Sequence, residues 1–229
     1  MSEPSHHDLH GKNMRNFKPA GALFDLDGVL IDTEGIYTNI WSDIESHFPT
    51  GIENFAYVIK GNTLPRILNT YFRSEDHEAI KQMLHQREEA MAYPIFPGVM
   101  ELLYRLTVAG IPKAIVTSSG DEKMRRIARM HPEFMACFDA LITDSNVQHS
   151  KPHPEPYLKG AEALGADCHD CIVFEDSYSG LQSGRDAGAK LVAIATTNPH
   201  ESLIDKADIV VDSISELLDL KSFFKDWEN

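Results

Sequence analysis

The sequence predicts an α/β fold in which strands of a parallel sheet alternate with helices, and three observations carry that prediction. Short β-rich apolar runs recur along the chain and are separated by stretches with helical periodicity. Four segments of this kind, led by Ala20–Phe24, Ala114–Val116, Ala140–Thr143 and Cys171–Phe174, lead into polar clusters, which is how strands feeding one functional edge read. Between the first and second of them, from Glu34 to Ile95, there is little strand signal and the apolar residues recur at helical spacing. This points to a helical module inserted into the α/β unit.

Taken in order, residues 1–18 form a polar lead-in without the apolar core of a signal peptide, and are expected to be a flexible tail. His6 and His7 belong to that tail rather than to a ligand set. Gly21–Phe24 is a buried strand, and Asp25 and Asp27, two residues apart, project to one side where it ends. Gly28 lets the backbone turn beside them. Ile36, Ile40, Ile44 and Phe48 trace one helix with Trp41 beside the stripe. Leu64, Ile67, Leu68 and Tyr71 trace a second, and Ile80, Met83, Leu84 and Arg87 a third. The chain rejoins the α/β unit at Phe96-Pro97-Gly98.

The strand Ala114–Val116 runs into Thr117-Ser118-Ser119-Gly120, with Ser119 read as a helix N-cap before Asp121. The strand Ala140–Thr143 leads to a loop bearing Lys151, kept extended by Pro152, Pro154 and Pro156. The strand Cys171–Phe174 ends in Glu175-Asp176-Ser177 before a helix over Ser179–Ala187. A strand at Lys190–Ala195, a polar loop at Thr196–His200 and a short strand at Ile209–Val211 follow. Asp212-Ser213 then opens a terminal helix over Ile214–Leu220. There is no internal repeat.

In a parallel sheet all these strand ends share one edge, which gathers Asp25, Asp27, Thr117, Lys151, Glu175 and Asp176. Each has an ordinary reading by itself: a solvated acid, a loop lysine, a helix cap. Together, acids, a hydroxyl and a lysine at separate strand ends point to a divalent cation and a phosphoryl group. The third acid and the distal glutamate of a calcium loop are missing after Asp27, which sets that reading aside.

FDLDGVL, TSS, KP and EDS, in that order, resemble the four motifs of the haloacid-dehalogenase superfamily, from about Gly21 to about Val211. FDLDGVLIDTE, KPHPEPY and FEDSYSGLQSGRDAGAK are most similar to the branch containing β-phosphoglucomutase and small sugar-phosphate phosphatases. The resemblance implies a Rossmann-like parallel-sheet core from residues 19–33 and 97–229 and a helical cap domain from residues 34–96. Hinges would lie near Asp32–Gly35 and Tyr93–Gly98. It implies Asp25 as nucleophile, forming an aspartyl-phosphate, and Asp27 as general acid and then base. Mg²⁺ would be held by the Asp25 and Asp176 carboxylates and the Asp27 backbone carbonyl, with Glu175 either a direct ligand or an outer partner. Lys151, Thr117 and the backbone N–H of Ser118 would bind the phosphoryl oxygens. Lys60-Gly61-Asn62-Thr63 would be the specificity loop, with Lys60, Arg66, Glu34 and Tyr37 as candidate substrate contacts.

The expected function is a Mg²⁺-dependent phosphatase acting on a small phosphorylated metabolite, a sugar phosphate first, with a β-phosphoglucomutase-type phosphomutase as the alternative. Against the mutase, Tyr37 stands where that branch has a histidine and Leu64 where it has an arginine. A non-catalytic binding protein is the third reading, opposed by the intact Asp25, Asp27, Lys151 and Asp176.

A formal charge of −14 argues against nucleic-acid and anionic-membrane binders, which want basic patches. No apolar run approaches the roughly 20 residues of a membrane span. Cys168 and Cys171 form a CxxC that precedes a strand and lacks a partner pair, so a structural role is expected. Three cysteines give no disulfide framework, which suggests the cytoplasm, and nothing demands more than a monomer.

Overall fold

The computed structural model describes residues 17–59, 62–225 and 227. Six strands form one sheet: β1 (Gly21–Phe24), β2 (Lys113–Val116), β3 (Ala140–Ile142), β4 (Cys171–Glu175), β5 (Lys190–Ile194) and β6 (Ile209–Val211). Their order across the sheet is β3-β2-β1-β4-β5-β6, and every pair is parallel. Such an order places a crevice beside the carboxyl ends of β1 and β4, where the direction of winding reverses. Phe24 of β1 lies level with Ile115 of β2 and Phe174 of β4, so the residues that follow each strand emerge side by side. The α/β, Rossmann-like class expected from the alternating runs is what the chain adopts.

The buried β1 strand sends alternate side chains to opposite faces. Ala22 and Phe24 join one core with Ile115, Ile172 and Phe174, while Leu23 joins the other with Ala114, Val116 and Val173. The Phe24 and Phe174 rings stack at 4.4 Å, and burying each such side chain stabilises the fold by roughly 1.5–3 kcal/mol. One face is covered by α5 (Val99–Val108), whose Leu102, Leu103 and Leu106 are fully buried, with α6 (Asp121–Met130) and the short α7 (Pro132–Met135) alongside. The other is covered by α8 (Glu155–Ala163) and α9 (Tyr178–Asp186) through Tyr157, Ala161 and Leu181. Ser177 caps α9 by accepting from the Gly180 N–H, and Ser213 caps the terminal helix Ile214–Asp219 by accepting from the Glu216 N–H.

Four helices fill the interval between β1 and α5: α1 (Glu34–His47), α2 (Phe55–Val58), α3 (Leu64–Tyr71) and α4 (His77–Glu89). Trp41, Phe55, Tyr71 and Phe72 pack ring against ring among them. The short α2 had no periodic run to announce it; one turn is too brief to show a period. The two chain crossings into this region run against each other. Ile31 bridges Ile95, the Asp32 N–H donates to the Pro94 carbonyl, and the Phe96 N–H donates to the Leu30 carbonyl.

Cys168 and Cys171 are free and buried, Cys171 opening β4. Burial pushes their thiols up to about 12 and about 11, so neither behaves as a reactive thiolate. Among the described residues, no helix is long and apolar enough to cross a membrane.

Candidate active site

Asp25 is the first residue past β1, and its N–H donates to the Phe174 carbonyl at 3.0 Å, which fixes it at the central strand end. Lys151 reaches in from the loop before α8. Its ammonium donates to Asp25 Oδ1 at 2.6 Å, to Glu175 Oε1 at 2.8 Å and to the Val116 carbonyl at 3.0 Å. Three donors thus meet three acceptors, and the side chain is 3% exposed. The Tyr157 ring lies beneath the ammonium at 4.7 Å.

Glu175 is wholly buried and spends both oxygens on protein donors. Oε1 accepts from Lys151 and from the Tyr157 hydroxyl at 2.9 Å. Oε2 accepts from the N–H groups of Asp176 and Ser177 and from Ser177 Oγ. A β-carbon at Gly180 would lie 1.6 Å from Oε1, so only glycine there leaves room for this carboxylate. Of the two roles open to Glu175 in the sequence, this packing favours the outer one, a partner that holds Lys151.

Asp176 stands beside Asp25 at the end of β4, and its Oδ2 accepts from the Thr197 hydroxyl. Gly28, at φ +82°, passes so close that a β-carbon would fall 2.1 Å from Asp176 Oδ2. In the loop Thr196–His200, Thr197 lines the cavity, while Asn198 donates to the Asp176 carbonyl and His200 pairs with Asp212.

Asp27 is gripped from three sides. Thr33 donates to Oδ1, Ser119 Oγ donates to Oδ2 at 3.0 Å, and the Lys123 ammonium sits 2.6 Å from both oxygens. Ser119 is therefore not the N-cap expected of it: α6 starts after Gly120 without a side-chain cap, and the hydroxyl turns toward the stronger, anionic acceptor. Lys123 escaped the sequence reading. A cation in the first turn of a helix opposes the helix dipole, and that mismatch was the available signal that the lysine serves a specific anion.

A further ion pair joins the helical region to the α/β unit. Arg126 of α6 donates to Glu88 Oε2 at 2.6 Å, and the Tyr37 hydroxyl donates to Glu88 Oε1 at 2.7 Å. The Tyr37 ring also lies 4.4 Å from the Lys123 ammonium. Tyr37 thus lines the cavity with its hydroxyl already engaged. Arg66 is exposed on α3 and does not line the cavity. Lys60, Gly61 and the side chain of Glu34 lie outside the described residues.

These groups open onto a cavity of about 380 Å³. Asp25, Asp27, Thr117, Ser118, Lys151 and Asp176 form its floor, and the helical wall includes Trp41, Ile59, Asn62 and Leu64. Thr117 is the first residue past β2, with its Oγ1 accepting from the Ser119 N–H.

The charges do not balance. Four carboxylates, Asp25, Asp27, Glu175 and Asp176, face two ammonium groups, Lys151 and Lys123, an excess of two negative charges. Burial pushes the Asp25 carboxyl up to about 7 against the pull of Lys151. Glu175 moves the other way: burial opposes its ionisation but is outweighed by Lys151 and the donors around it. Asp27 is also held below the usual carboxylate range, burial being outweighed by Lys123, Thr33 and Ser119. With all four carboxylates ionised the surplus is two negative charges on hard oxygens, which fits a dication such as Mg²⁺, whose charge would itself oppose the rise at Asp25.

Residues 22–194 match the haloacid dehalogenase-like hydrolase family, and the chain belongs to it. It is 30% identical to hexitol phosphatase A of Escherichia coli over 86% of this chain and 92% of that protein. It is 28% identical to the bifunctional riboflavin kinase/FMN phosphatase of Arabidopsis thaliana over 85% of this chain, which spans 53% of that longer protein. A β-phosphoglucomutase from Clostridium difficile shares the fold with a TM-score of 0.74, at 23% identity over 92% of this chain and 97% of the other.

Proposed function

We propose that this hydrolase is a Mg²⁺-dependent phosphatase that cleaves a small phosphorylated metabolite, a sugar phosphate, through an aspartyl-phosphate on Asp25. The observation that carries the reading is the Asp25–Lys151–Glu175 chain at the floor of the cavity, where a carboxylate nucleophile sits beside a fixed cation. The relatedness to hexitol phosphatase A supports a sugar phosphate as substrate.

An Asp25 oxygen attacks phosphorus in line, the new P–O bond forming as the bond to the substrate alcohol breaks. Lys151 and Thr117, with the Ser118 N–H, bind the phosphoryl oxygens, each preorganised donor being worth about 3 kcal/mol at the transition state. Asp27 gives its proton to the leaving alcohol oxygen and later takes one from the water that attacks phosphorus, releasing phosphate and restoring Asp25. Its contacts to Lys123, Thr33 and Ser119 keep it ionised here, the base form, so proton delivery requires that they loosen. Mg²⁺, held by Asp25, Asp176 and the Asp27 carbonyl, would supply neutralisation of the phosphoryl charge. The helical region 34–96 would act as a cap that excludes water from the floor. The three unpaired cysteines favour the cytoplasm as its compartment.

The test is phosphate release from a panel of sugar phosphates with and without Mg²⁺. Release that requires Mg²⁺ and disappears in Asp25→Asn supports the reading. Full activity in that variant defeats the covalent route, and conversion of β-glucose 1-phosphate to glucose 6-phosphate without phosphate release makes the protein a mutase.

A further inference from the structure

The loop that delivers Lys151 carries a second set of metal-ligating groups, outside the cavity and of different chemistry. His149 and His153 flank Lys151 by two residues on either side, and their rings stack at 4.5 Å. Glu155, at the start of α8, completes the set: one nitrogen from each imidazole and one carboxylate oxygen lie within 4.8 Å of one another. His149 Nδ1 is 2.9 Å from Glu155 Oε2. The crevice at this place is lined by His149, Ser150, His153, Gln182 and Asp186, so solvent and a carboxylate of α9 stand beside it.

We propose that His149, His153 and Glu155 form a binding site for a borderline divalent ion of the Zn²⁺ class, which clamps the Lys151 loop to α8. Two imidazoles and one carboxylate are a donor set of the kind that holds zinc, with a remaining position for water. Imidazole nitrogen suits Zn²⁺, Ni²⁺ or Co²⁺, whereas Mg²⁺ takes oxygen ligands. The two candidate cation sites are therefore orthogonal in chemistry. The carboxylate is already oriented by backbone, since the Gln148 N–H donates to Oε1 at 2.8 Å and the His149 N–H to Oε2 at 2.9 Å. Lys159 pairs with Oε1 at 3.1 Å, so Oε2 is the oxygen turned to the histidines. Binding replaces the His149 Nδ1–Oε2 contact with bonds from both atoms to the ion and draws the three ligand atoms, now within 4.8 Å of one another, closer together.

The clamp has a consequence at the active site. Ser183 of α9 donates to the His153 carbonyl at 2.7 Å, and the Glu155 carboxylate accepts from the start of the loop. An ion at the triad adds a third tie to the segment whose lysine holds Asp25 and Glu175.

Full-length protein, stripped of metal and then given excess Mg²⁺ to fill the oxygen-lined cavity site, is titrated with Co²⁺ as a spectroscopic probe and then with Zn²⁺ as competitor. The expected result is one equivalent of Co²⁺ with visible d–d absorption, displaced by Zn²⁺. Zn²⁺ at about a hundredfold excess over Kd should also raise the melting temperature by about 5–11 °C, because the triad forms only in the folded chain. His149→Gln and His153→Gln should each abolish both signals, and Glu155→Gln should weaken binding at least tenfold. Far-UV circular dichroism of each metal-free variant checks that it is folded. Co²⁺ binding that persists in His149→Gln and His153→Gln assigns the ion to other groups, such as His6 and His7, and overturns the proposal. So does a wild-type protein that binds neither ion at 100 μM, a ceiling about a hundredfold above the micromolar affinity expected of such a triad.

Discussion

Arg126→Met isolates the ion pair between the helical region and the α/β unit. The Arg126 side chain is 6% exposed and that of Glu88 14%, and their charged atoms are 2.6 Å apart. Removing one partner leaves a desolvated carboxylate whose remaining donor is the Tyr37 hydroxyl, and breaking such a pair typically costs about 3–5 kcal/mol. The contacts of Arg126 to Glu122 and His85 add little, since those side chains are 59% and 45% exposed. At about 2–4 °C per kcal/mol for a chain of this size, the melting temperature should fall by about 6–20 °C. Glu88→Met alone should be comparably harmful, whereas the double variant, which replaces both charges by methylene and thioether, should recover most of the loss. The coupling energy from the four proteins, read by urea unfolding, should be at least about 2 kcal/mol. A coupling below about 0.5 kcal/mol, or an Arg126→Met protein as stable as the parent, would refute the reasoning that this pair joins the two regions.

Two further predictions concern the floor of the cavity. Asp25 has its carboxyl raised from 3.8 to about 7, so in metal-free buffer the folded state binds its proton more tightly than the unfolded chain does. The stability penalty is absent below pH 3.8, grows as the pH rises and is complete above about 7; three pKa units bound it at about 4 kcal/mol. Asp25→Asn in EDTA should therefore melt higher than wild type at pH 8 and no higher at pH 4, and Mg²⁺ should raise only the wild type; equal melting temperatures at pH 8 would contradict this. Gly28→Ala puts a β-carbon 2.1 Å from Asp176 Oδ2 at φ +82°, a backbone penalty of about 1–2 kcal/mol plus a displaced carboxylate. The Mg²⁺ concentration for half-maximal activity should rise at least tenfold, and an unchanged Mg²⁺ response would remove Asp176 from the metal site.

Much of the fold was legible because it rests on local signals. The β-rich runs, the turn at Gly28 and the helix opening at Asp212-Ser213 are properties of neighbouring residues, and they mark elements found where they were expected. Parallel pairing follows from alternation of strand and helix, which brings Asp25, Thr117, Lys151 and Asp176 to one edge without any distance being known. What a side chain does at that edge was harder to read. Ser119 satisfies every local rule for an N-cap, yet donates to Asp27, 92 positions away, because a carboxylate is a stronger acceptor than solvent. Arg66 read as a substrate contact from its place near the specificity loop, but the phase of α3 turns it to solvent.

The amino-acid sequence by itself determined the class of fold, the family, and the identity of the acids and lysine at the strand ends, since these depend on residue type and order. Only the tertiary structure decided which charges neutralise one another. Lys123 belongs to Asp27, Glu175 to Lys151, and Arg126 to Glu88 across 38 positions of chain. Electrostatic energy depends on separation and burial in space, and both are set by how helices pack on the sheet rather than by any pattern a single segment carries.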